Sequence, residues 1–85
     1  MNEIRILGIH VIDRIKEAGK TQAVLTKHAG IIKTRLGFHE VSEEVCSRNG
    51  LIVIELKETT EQWDVLESDL QAIGGIRVKK MNFSI

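Results

Sequence analysis

Two segments, Ile4–Ile12 (IRILGIHVI) and Leu51–Leu56 (LIVIEL), constrain this chain more than any other feature. Both are rich in β-branched residues and read as strands. Successive side chains of a strand point to opposite sides. In the first segment Ile4, Ile6, Gly8, His10 and Ile12 share one face, and Arg5, Leu7, Ile9 and Val11 share the other. Neither face is polar. A strand with one wet face alternates cleanly, so both segments are expected in the middle of a sheet, covered on both sides.

The segments between and after them complete a pattern. Residues 15–28 suit a helix with Ile15, Ala18, Val24, Leu25 and His28 on one side. Gly19 weakens its first turn, so the start is expected near Lys20 or Thr21, and Gly30 is a stop signal. Residues 31–38 form a strand with Ile32, Thr34, Leu36 and Phe38 on one side and Lys33 and Arg35 on the other. Charges on one side suit an edge strand, and Gly37 is a candidate bulge. Thr59 and Gln62 fit a capping box. Trp63, Leu66, Leu70 and Ile73 follow at spacings of 3, 4 and 3, a helical stripe stopped by Gly74-Gly75. In the last strand, residues 76–83, the apolar positions change phase between Val78 and Met81, which predicts a bulge at Lys79-Lys80.

The order is strand-helix-strand twice over. It predicts an α+β, ferredoxin-like βαββαβ sandwich: a four-stranded antiparallel sheet with both helices on one face. Eighty-five residues suit a single domain spanning 1–85. Two helices cover one face only. Buried apolar area is worth roughly 25 cal/mol per Å², so a bare face of Ile, Leu and Val is a liability in water. A second copy of the sheet is the simplest cover, and a homodimer or tetramer is expected. The competing reading is that these residues are β formers tolerated at the surface.

Composition narrows the function classes. Aromatic residues are limited to Phe38, Trp63 and Phe83, so the core must be aliphatic. Twelve basic residues balance twelve acidic ones. A free-standing nucleic-acid binder needs a basic surplus, so no direct nucleic-acid partner is expected. No apolar run approaches the ~20 residues of a membrane span, and no targeting segment is recognisable. The lone Cys46 favours a reducing, cytoplasmic setting.

Ligand-type side chains cluster in the polar connection 39–49: His39, Glu40, Glu43, Glu44 and Cys46. At about eleven residues it is longer than an ordinary hairpin loop of about 2–5, and it ends on the turn signal Asn49-Gly50. His39 and Cys46 are donors suited to a transition metal such as Ni or Zn. One chain offers too few donors, so a metal site would need pooling across an oligomer, with His10 or His28 as further ligands. The plainer reading is a polar loop around a small cysteine. Likewise His10 reads as a satisfied strand or interface histidine, His28 as an imidazole at a helix C-terminus, and Trp63 as core. Arg14, Lys33 and Arg35 read as a basic patch for an anion or, more simply, as a solvated edge. No Ser/His/Asp ordering, Walker loop or Rossmann glycine pattern occurs, and no enzyme is expected.

The layout, with Val11-Ile12-Asp13-Arg14 closing strand one and Gly74-Gly75 before strand four, resembles an ACT-like domain. The whole chain resembles the small single-domain family named for regulation of the iron-only hydrogenase system, which is grouped with the C-terminal metal-sensing domain of the nickel-responsive regulator. The resemblance implies a non-catalytic regulatory or sensor module acting through ligand-responsive oligomers, with the output passed to another protein. Many amino-acid-sensing ACT domains end strand one with Asp-Arg-Pro-Gly, a turn that helps form an effector site at a subunit interface. Asp13 and Arg14 match it, while Ile15-Lys16 replace Pro-Gly. The nickel sensor's His and Cys ligands correspond in placement to His39 and Cys46. The alternatives are a structural protein–protein interaction module with no small ligand and, third, a small enzyme.

Overall fold

The computed structural model describes residues 3–38, 49–57 and 60–84, with the backbone only at residues 14 and 38. Its elements are β1 (Glu3–Val11), α1 (Arg14–Lys27), a 3-10 turn (Ala29–Ile31), β2 (Ile32–Phe38), β3 (Gly50–Leu56), α2 (Thr60–Gln71) and β4 (Ile76–Ser84). The four strands lie in the order β2-β3-β1-β4, and every neighbouring pair is antiparallel. The expected ferredoxin-like sandwich is the fold, and the doubly apolar strands β1 and β3 are the central pair.

The core lies between the helices and one face of the sheet. Leu7, Ile9 and Val11 of β1, Ile54 and Leu56 of β3, and Leu25 and Ile31 meet Trp63, Leu66 and Leu70 of α2 and Ile73 just beyond its end. The Trp63 indole N–H donates to the Lys57 carbonyl at 2.7 Å, which satisfies the one polar atom of the largest core residue. α2 ends at Gln71, and in the turn that leads to β4 Gly75 takes a left-handed backbone, with φ at 81°. The expected capping residue Thr59 lies outside the described residues.

Helix α1 departs from expectation at its start and ends where expected. It begins at Arg14, not near Lys20, because Asp13 caps it. The Asp13 carboxylate accepts from the backbone N–H groups of Ile15 and Lys16 at 3.2 and 3.4 Å. A cap of this kind is worth about 1 kcal/mol, enough to offset the similar cost of Gly19 inside the helix. With that start the buried face holds Glu17, Thr21 and Leu25, while Ile15 and Ala18 are exposed. The helix ends at His28, whose N–H bonds the Val24 carbonyl at 3.1 Å. Gly30 sits in the following 3-10 turn without a left-handed backbone.

The two outer strands also differ in detail. In β2 the register shifts between Ile32 and Thr34, not at Gly37. The shift turns Ile32 toward the helices and leaves Thr34 and Leu36 on the opposite face, so the three do not share a side. In β4 there is no bulge: pairing with β1 runs unbroken from Ile76↔Val11 to Ser84↔Glu3. The phase change is real, but it reflects neighbours. Beyond Val78 the helix-facing positions Lys80 and Asn82 meet a polar cluster. There the Arg5 guanidinium stacks 4.6 Å from the Trp63 ring centre, donates to Glu67, and bonds Asn82 at 2.8 Å. Lys80 Nζ lies 3.6 Å from Glu67.

Candidate functional site

The turn after β1 forms one wall of a pocket. Asp13 caps α1, and the Ile12 N–H donates to the Gly75 carbonyl at 3.0 Å, tying this turn to the end of α2. Between them lies a cavity of about 480 Å³, floored by Glu17 and bordered by Ile12, Asp13, Lys16, Lys20 and the two glycines. Of the two effector residues expected from sequence, Asp13 lines the pocket, and Arg14 begins α1 with its side chain outside the description.

Glu17 was not singled out by sequence, and it is the most unusual group here. It is only 5% exposed, and its Oε2 has no hydrogen-bond partner among the described residues. Buried carboxylate oxygens are ordinarily satisfied, because an unpaired one forfeits its hydration. Gly75 explains how it fits. A Cβ built on Gly75 would stand 3.2 Å from the Glu17 Cγ, so the left-handed glycine both makes the turn and leaves room for the carboxylate. The legible signal was spacing: Glu17, Thr21 and Leu25 recur every four residues from the cap, a stripe whose first two members are polar. Lys16 and Lys20 stand at the exposed rim. The pocket is thus lined by one buried carboxylate residue and two exposed lysines.

The histidines go to separate places. His10 lies on the face of the sheet away from the helices, with Nε2 2.9 Å from the Asn49 side-chain oxygen. His28 lies in the helix layer, with Nε2 2.7 Å from Asp69, which Lys27 also reaches at 3.1 Å. The hydrogen bond from His28, then that from Lys27, holds the Asp69 carboxyl below the usual carboxylate range. This clasp between the helices adds a partner to the dipole reading of His28. Being on opposite sides of the sheet, His10 and His28 cannot complete one metal site within a chain. The expected ligands His39 and Cys46 lie outside the described residues, and no cluster of three His, Cys, Asp or Glu side chains suited to a metal occurs among the described ones. The expected basic patch is divided: Lys33 reaches Glu55 at 3.7 Å, while Arg35 turns to the helices and donates to Gln22 at 2.6 Å.

The helix-free face is the second feature. The strand registers arrange it as rows across β2, β3, β1 and β4: Leu36, Val53, Gly8 and Lys79 in one, Thr34, Glu55, Ile6 and Met81 in the next. Leu51, His10 and Arg77 flank the first row, and Ile4 with Phe83 flank the second. Leu36, Met81 and Phe83 are 60%, 55% and 51% exposed.

No family model and no curated protein matches the chain. Solved structures do. An uncharacterised protein from Thermotoga maritima is 28% identical, with a TM-score of 0.79, over 98% of this chain and 100% of that one. A formyltetrahydrofolate deformylase from Pseudomonas putida is 11% identical with a TM-score of 0.55; 92% of this chain matches 28% of that enzyme. CPII from Thiomonas intermedia, solved with ADP, AMP and acetate, is 14% identical with a TM-score of 0.53 over 98% of this chain and 90% of that one. The last two likenesses are of fold. No helix among the described residues is long and apolar enough to cross a membrane.

Proposed function

We propose that the chain is a non-catalytic, ligand-responsive regulatory module that works as a homo-oligomer, with the pocket beneath Gly74-Gly75 as its effector site. One observation carries the reading: Glu17, whose buried carboxylate keeps an oxygen without a partner among the described residues, lines a cavity that Lys16 and Lys20 also line. The chemistry asks for a small ligand with an ammonium or other N–H donor for Glu17 and an anionic group for Lys16 and Lys20. The match of Asp13-Arg14 to the first half of the Asp-Arg-Pro-Gly turn of amino-acid-sensing ACT domains supports an amino-acid-sized effector at this turn. The CPII likeness supports a ferredoxin-like sheet as a frame for small-molecule binding. Cys46, the only cysteine, suits a reducing compartment.

The effector acts by binding one subunit arrangement more tightly than another, and the output passes to a partner protein. Thermal unfolding against a panel of amino acids and small amines tests this. A ligand present at 100 times its dissociation constant adds about 2.7 kcal/mol to stability. The expected result is stabilisation of the wild type by zwitterions and its loss in Glu17→Gln. A wild type unmoved by the whole panel, or a variant that responds equally, defeats the effector site. The bare sheet face favours a second reading, a protein-interaction module with no small ligand; it predicts a flat panel and an intact oligomer.

A further inference from the structure

We infer that two copies pack their helix-free faces together about a twofold axis running diagonally across the sheet, so that Lys79 of each copy stands over Glu55 of the other. This rests on the homo-oligomer reading above and adds the mode of pairing. The face has a diagonal charge pattern. One apolar corner is Leu36, Leu51 and Val53, and the opposite one is Ile4, Ile6, Met81 and Phe83. Of the two remaining corners, one is basic, with Arg77 and Lys79 on β4, and the other holds the one carboxylate among the described residues of this face, Glu55, with Thr34 and Lys33 beside it.

When two identical faces meet, the axis lies in the plane between them, and each point meets its mirror image across the axis. An axis along the strands lays Lys79 over Leu36 and Glu55 over Ile6. An axis across the strands lays Lys79 over Met81 and Glu55 over Val53. Both set Lys79 against hydrocarbon with no carboxylate opposite it. A diagonal through the charged corners lays lysine on lysine and carboxylate on carboxylate. The diagonal through the apolar corners lays each apolar corner on its own copy and exchanges the charged ones. It alone satisfies both kinds of side chain.

The dimensions permit it. Strands ~4.8 Å apart with same-face residues ~6.8 Å apart make a face of roughly 600–700 Å² with side-chain margins. Two copies then bury about 1,200–1,400 Å², at the small end of specific interfaces. Glu55 is held ready on the face, since the Thr34 hydroxyl donates to it at 3.4 Å and Lys33 flanks it at 3.7 Å.

Sedimentation or light scattering over a dilution series tests the pairing on the whole chain, with circular dichroism confirming folding. Lys79→Glu and Glu55→Lys are each expected to raise the dissociation constant at least tenfold, and the double exchange to restore it to within about threefold. If neither single change matters while Met81→Lys dissolves the assembly, the face pairs but the diagonal is wrong. If both weaken it without rescue, the diagonal is again wrong. A wild type that stays monomeric at every concentration removes the homo-oligomer reading as well.

Discussion

The two faces of the sheet are built from nearly the same residue types and have opposite fates. On β1, Leu7, Ile9 and Val11 are 0%, 0% and 3% exposed, while their neighbours Ile4 and Ile6 on the other face are only half-buried. The helices make the difference, through Leu25 on α1 and the Trp63, Leu66 and Leu70 stripe on α2. Apolar character therefore states a demand for cover without saying what supplies it. The polar residues reverse the lesson. The covered face takes in Arg5, Glu67 and Glu17. The first two satisfy each other, and the third keeps a buried oxygen without a partner among the described residues beside a cavity.

The contrast breaks first at paired leucines. Leu66→Ala, in the covered core, is expected to cost about 2–5 kcal/mol by urea unfolding. Leu36→Ala should leave unfolding of a single copy within about 0.5 kcal/mol and act on self-association instead. Equal costs would mean that the two faces are not distinct. Glu67→Ala comes next. It removes the carboxylate partner of a guanidinium that keeps Asn82 and the Trp63 ring, at a cost of about 1.5–3 kcal/mol, and glutamine should recover part of the loss. Gly75→Ala should cost about 1–2 kcal/mol, since alanine resists the 81° backbone and its Cβ presses on Glu17. Gly74→Ala, which meets open space, should cost well under that; a reversed order would misplace the turn.

The smallest effect is at the clasp between the helices. Asp69 has a depressed carboxyl pKa, so its contribution is present above the unfolded carboxylate value and is lost as pH falls through the folded one. Acid titration of stability below about pH 4 should therefore be shallower in Asp69→Asn than in the wild type. Identical slopes would remove Asp69 from the acid response.

Much of the fold was legible because it rests on periodicity. The central position of β1 and β3 followed from two apolar faces, and the α2 stripe from the 3, 4, 3 spacing of Trp63, Leu66, Leu70 and Ile73. α1 was misread because Gly19 was weighed above a cap that Asp13 forms with Ile15 and Lys16. β4 was misread because a phase change looks like a bulge when its neighbours are unseen. The pocket was half legible. Asp13 came from the turn motif, while Glu17 drew no notice beside ordinary surface acids.

Order along the chain, by itself, settled which segments are strands and helices, which two strands lie inside, and that one sheet face would lack helices. Those properties follow from local period and from counting layers. Tertiary structure alone decided that Glu17 is buried, that His28 and Asp69 meet, and that apolar and charged side chains occupy opposite diagonals of the helix-free face. Each depends on registers between segments far apart in sequence, which are set by packing the whole sheet at once.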